Sequence, residues 1–79
     1  MERLVDFLRN IGFANEKLLV GLDEVEIENC IYNKDTKITK FILLSKEVLP
    51  VKRIDKVRSG LEKLLKKQYI SSVEFSFKY

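Results

Sequence analysis

Wound as a helix, residues 50 to 67 bring Lys52, Lys56, Lys63 and Lys67 within about 60° of one another, with Lys66 close by. A row of ammonium groups on one helix face can track the phosphates of a nucleic acid, because each neutralised phosphate releases condensed counterions. The same row is what a helix with a buried opposite face must show to water, and Asp55 and Glu62 flank it, so a solvated face is the plainer reading. Glu24, Glu26 and Glu28 alternate along a strand and so project from one of its faces, an arrangement that can in principle hold Mg²⁺. The expected pairing sets Leu43 and Phe41 opposite two of these acids and no further carboxylate beside them, which favours a polar outer sheet face over a metal site.

Apolar side chains form the third set. Tyr32, Phe41 and Leu43, with Cys30, fall on the sheet face turned away from an aliphatic one. There they either lie beneath the first two helices or form a small exposed patch that docks another protein. Catalytic sets are missing. Histidine and tryptophan are absent and cysteine occurs once, which excludes Ser-His and Cys-His pairs, His-ligated metals, zinc fingers and a disulfide framework. No residue is assigned a catalytic role, and no metal, cofactor or small-molecule substrate is expected. Base stacking would need exposed aromatics, yet Phe75 and Phe77 share the parity of Val73 and point inward; the glycines at 12, 21 and 60 make no Gly-x-x-Gly loop.

These groups sit on a chain of 79 residues, 46% hydrophobic and 34% charged, which is enough for one core and excludes a disordered tail or a two-domain enzyme. A chain of this length hides only about 60% of its unfolded surface. The lone Cys30 and the acids in Met1-Glu2-Arg3-Leu4-Val5-Asp6 argue for a reducing, cytoplasmic setting without a signal peptide. Phe41-Ile42-Leu43-Leu44 falls far short of the roughly 20 apolar residues of a membrane span, so a soluble protein is expected. Residues 1–35 carry four bases and eight acids, a balance of −4, and residues 36–79 carry eleven bases and four acids, a balance of +7. That division suits internal pairing or a partner of mixed charge.

Leu4, Val5, Leu8 and Ile11 follow helical spacing ahead of Gly12, predicting a first helix over about residues 2 to 11. Asn15 and Glu16 can open a second, over about 16 to 22. Val25, Ile27 and Ile31 share one parity and predict a strand over about 25 to 32. Asn33-Lys34-Asp35-Thr36 then reads as the turn of a hairpin whose second strand covers about 37 to 45, pairing Ile31 with Ile38, Ile27 with Ile42 and Val25 with Leu44. Pro50 suits the opening of a long helix, and Val51, Ile54, Val57, Leu61, Leu64 and Leu65 give it a buried face over about 50 to 67, with Gly60 marking a close approach to the sheet. Val73, Phe75, Phe77 and Tyr79 alternate with polar residues in a last strand. The expectation is an α+β fold with two short N-terminal helices, a β-hairpin, an amphipathic helix and a final strand. A three-stranded sheet then has the strand over 25 to 32 in its centre and the long helix packed on one face. An end inside a strand suggests a single domain, 1–79, excised from a longer protein.

The helical start Leu4-Val5-Asp6-Phe7-Leu8, the segment Val25-Glu26-Ile27-Glu28-Asn29-Cys30 leading to Lys34-Asp35, Leu49-Pro50, and the ending Ser72-Val73-Glu74-Phe75-Ser76-Phe77 resemble the first domain of the PolC-type DNA polymerase III alpha subunit. That resemblance implies a replicative DNA-directed DNA polymerase with a 3′ to 5′ exonuclease. Its catalytic carboxylates and their Mg²⁺ lie in other domains, so no family catalytic residue transfers to these positions. It also implies a truncated KH-like fold akin to the polymerase-binding C-terminal domain of the clamp-loader tau subunit. The reading is a non-catalytic protein-interaction module in bacterial DNA replication, bound to a replisome protein such as tau through the outer sheet face or the first two helices. The alternative is a small nucleic-acid-binding module using the lysines of the long helix. A third reading, an acylphosphatase-like enzyme, shares the layered architecture but has no phosphate-cradling loop.

Overall fold

The computed structural model describes residues 1–68, 70 and 72–79. Its long helix forms where the apolar spacing requires one. Helix α2 (Val51–Leu65) follows Pro50, whose extended backbone starts the helix and whose carbonyl accepts from the Ile54 amide at 3.1 Å. Val57, Leu61 and Leu65 are buried and Ile54 and Leu64 half-buried. Val51, expected on the same face, is 82% exposed: it is the first residue of the helix and stands about 80° of helical turn from the middle of the buried ridge. A 3-10 turn (Lys66–Gln68) continues the chain.

Four strands make the sheet rather than three: β1 (Glu2–Arg3), β2 (Glu26–Asn33), β3 (Ile38–Leu44) and β4 (Ser72–Lys78), in that order. β1 and β2 pair antiparallel, as do β2 and β3, whereas β3 and β4 are parallel. Residues 2 and 3, expected at the start of a helix, instead extend the sheet beyond β2, and helix α1 (Leu4–Asn10) leaves directly from it. The expected pairing of the last strand is also corrected: β4 joins β3, parallel and through the α2 crossover, instead of β2, so of the three strands foreseen β3 is the middle one, while β2 lies between β1 and β3.

Register explains which face is covered. The hairpin loop is residues 34–37, one place later than expected, with Lys37 at a φ of +60° and its amide bonded to the Asn33 carbonyl at 2.7 Å. The Asn33 side chain accepts from the Asp35 and Thr36 amides at 2.9 and 3.1 Å, holding the turn. Ile31 therefore faces Lys40 rather than Ile38. A bulge between Ile27 and Asn29 then inserts Glu28, and because side chains alternate along a strand, one extra residue turns the start of β2 over. Ile27 joins Leu43 on the covered side, so the aliphatic set Val25, Ile27 and Ile31 does not share one face as expected.

The covered side is the one that was expected to lie outermost. Thr39, Phe41 and Leu43 stand in register with Val73, Phe75 and Phe77, and residues in register on neighbouring strands share a face. Ring centroids run Phe7–Phe41 at 5.5 Å, Phe41–Phe75 at 6.0 Å and Phe75–Phe77 at 6.4 Å, so the helices close over the bulkier, aromatic side. Ile31, Ile38, Ile42 and Leu44 are left on the open side, with Ile31 47% exposed. Leu4, Val5 and Leu8 of α1 complete the core with Leu19, Leu22 and Val25.

The second predicted helix is a 3-10 turn (Glu16–Leu19). Asn15 makes no side-chain cap, and Glu16 instead binds Arg9 at 2.9 Å. Gly12, at a φ of +94°, ends the α1 segment in the left-handed conformation that its type favours. Gly60 makes its close approach to the Phe13 ring rather than to the sheet: an added Cβ would stand 2.7 Å from Phe13 Cε2. Helix propensity favours Gly60→Ala by about 1 kcal/mol, but displacing a packed ring costs typically 1–3 kcal/mol. A net loss of about 1 kcal/mol is expected in urea denaturation. The substitution should turn neutral or stabilising once Phe13→Leu makes room.

Candidate docking groove and lysine face

A groove of about 320 Å³ opens beside β2. Phe7 of α1 and Leu65 of α2 form its helical wall, Cys30 and Tyr32 its outer strand, Thr39 and Phe41 its floor, and Gln68 and Ile70 its end. Tyr32, one of the three residues expected to touch a partner, is 46% exposed at the rim. Phe41 reaches the groove only as its floor at 2% exposure, and Leu43 is wholly buried between sheet and helices. Of the two readings offered for these residues, burial of Phe41 and Leu43 fits cover by the helices and not an exposed patch, and the three are a rim, a floor and a core residue on the helix-covered face.

Thr39 is 4% exposed, and its Oγ1 makes no hydrogen bond among the described residues. A buried hydroxyl left unpaired costs about 1–3 kcal/mol. Beside the groove, β1 covers only Glu26 and Ile27, so residues 28–33 of β2 form a free strand edge. The Cys30 amide donates to the Asn29 side chain at 2.8 Å. Burial raises the Cys30 thiol pKa, keeping it protonated at neutral pH and a poor nucleophile. The β4 edge differs, because both the amide and the carbonyl of Val73 are taken by α2 side chains, Glu62 at 2.9 Å and Arg58 at 3.2 Å.

Lys52, Lys56, Lys63 and Lys67 are all exposed, as is Lys66, and none has an ion-pair partner among the described residues. The two acids expected to offset them are held elsewhere. Arg58, on the β4 side of α2, pairs with Asp55 at 3.0 Å and Glu62 at 3.1 Å. This Asp55–Arg58–Glu62 set was missed in the sequence reading, although its i, i+3 and i, i+4 spacing was there to find. Of the three strand acids, Glu28 sits at the bulge and binds Lys78 at 2.9 Å, and Glu26 lies opposite Leu44. Among the described residues no group of three or more histidine, cysteine or acidic side chains is placed to hold a metal ion, and no helix is long and apolar enough to cross a membrane.

A mixed four-stranded sheet with helices on one face only, and a groove between helix and strand edge, defines a small α+β module. The chain belongs to the family described as DNA polymerase III polC-type N-terminus I, which matches residues 3–77. That membership bears out the likeness read from the sequence and is consistent with a part in DNA replication. No curated protein and no solved structure matches the chain.

Proposed function

We propose that this chain is a non-catalytic docking module of a PolC-type replicative polymerase. It binds a replisome protein, the clamp-loader tau subunit, through the groove between β2 and the helices. Catalysis and its metal ions belong to other parts of such a polymerase. The observation that carries the reading is the groove itself: apolar walls, one unsatisfied hydroxyl on Thr39, and an adjacent free strand edge. An inserted aromatic or aliphatic anchor gains from desolvation, a polar tip can satisfy the hydroxyl, and an extended segment can pair with the edge. The choice of tau rests on the resemblance read from the sequence, which implies a fold akin to a polymerase-binding domain of tau.

Amide shifts of the isotopically labelled protein test this. Addition of tau should move Phe7, Cys30, Tyr32 and Ile70 and leave the open face at Ile42 unmoved. Silence on adding tau would overturn the partner, and shifts gathered at Ile31 and Ile42 would overturn the groove.

A further inference from the structure

We infer that the lysine face of α2 and its following turn is a contact surface for the phosphate backbone of duplex DNA, separate from the docking groove. Lys52, Lys56, Lys63, Lys66 and Lys67 line one side of the helix over roughly 20 Å of axis. A flanking carboxylate usually turns such a row into an ordinary solvated surface. Here Arg58 takes both candidates, Asp55 and Glu62, and Glu62 is further fixed by the Val73 amide. Among the described residues these lysines have no ion-pair partner; Lys17, Lys34, Lys40 and Lys46 have none either, but they are scattered over other segments, and only on α2 and its turn do five unpaired ammonium groups share one line.

Three features favour a nucleic-acid backbone over other polyanions. The charges form a straight, helix-fixed array, which suits a ligand whose charges recur at a constant spacing. The apolar side of α2 is spent on the core through Val57, Leu61 and Leu65, so the helix has no greasy face to lower into a bilayer. The row carries no aromatic or other hydrogen-bonding anchor of the kind that specifies a protein epitope, and lysine acts on phosphate as a point charge. Contact of this kind is independent of sequence; it would orient the module along a duplex without reading bases.

The test is fluorescence anisotropy of a labelled 20-base-pair duplex with the whole protein between about 50 and 200 mM salt. Four or five engaged lysines predict a log-log slope near −4, about 0.9 for each phosphate neutralised. The quadruple variant Lys52→Gln, Lys56→Gln, Lys63→Gln and Lys67→Gln, which keeps Lys66, should bind at least tenfold more weakly with a slope no steeper than about −1. Its four sites are exposed, so circular dichroism should show an unchanged fold. Lys34→Gln with Lys46→Gln should leave binding and slope as they are. Equal binding by the quadruple variant would overturn the inference, as would tighter binding to phosphatidylserine vesicles or to polyglutamate than to the duplex.

Discussion

Phe41→Ala should cost about 3–5 kcal/mol, a large share of the total stability, while Tyr32→Ala should cost less than about 1 kcal/mol. Both residues lie on the same side of the sheet and both were expected to contact a partner, but the structure gives them different work. Among the described residues Phe41 is the largest fully buried side chain, and it touches the rings of Phe7 and Phe75, so its removal leaves a cavity in the middle of the core. A chain of 79 residues has about 4–12 kcal/mol of stability to lose. Tyr32 keeps 46% of its surface in water and supports nothing beneath it but the groove. Urea denaturation of the two variants measures the contrast, and a Phe41→Ala protein as stable as wild type would mean the helices do not close over this face.

Glu62→Ala should destabilise the protein by about 2–3 kcal/mol, the second large effect. One carboxylate oxygen accepts both from Arg58 at 3.1 Å and from the Val73 amide at 2.9 Å, joining α2 to the edge of β4. Val73 is buried, so its amide loses its partner without gaining good access to water. The Arg58 guanidinium is 31% exposed and still has Asp55, which limits the charge part of the loss. Glu62→Gln keeps an oxygen for the Val73 amide while losing the ion pair, and should therefore recover about half of the deficit. Equal losses for Ala and Gln in chemical denaturation would place the effect on charge instead of on the amide.

What could be read from the sequence followed from period and local turn chemistry. The spacing of Val57, Leu61 and Leu65 fixed α2 to within a turn, Gly12 announced its positive φ, and Val73, Phe75 and Phe77 declared their inward parity. The family likeness was legible in order and spacing along nearly the whole chain. The sheet was less so. Both sides of β3 are apolar, Thr39, Phe41 and Leu43 against Ile38, Ile42 and Leu44, so parity alone did not say which side the helices take. That choice depends on the aromatic row of the neighbouring strand, a relation between residues some 34 positions apart. The bulge at Glu28 has no glycine to signal it, and a strand as short as Glu2–Arg3 carries no periodicity at all.

The candidate site inherited that error of face. Tyr32 was grouped with Phe41, Leu43 and Cys30; Phe41 and Cys30 do line the groove beside it, whereas Leu43 is buried away from it. Cys30 was taken as part of the same patch and forms the groove's wall. Thr39 was not singled out, because a threonine in a strand gives no hint that its hydroxyl will be left unpaired. The lysines were read correctly as an exposed row. Their electrostatic setting was not, since it depends on which side Arg58 takes once α2 is laid against β4.

The docking account is tested most directly by isothermal titration of the wild-type protein and the Tyr32→Ala variant with the clamp-loader tau subunit, both shown by circular dichroism to be folded at the titration temperature. A rim aromatic at the mouth of an apolar groove is worth about 2 kcal/mol in binding, so the variant should bind at least tenfold more weakly. Equal affinity of the two proteins for tau would contradict the account.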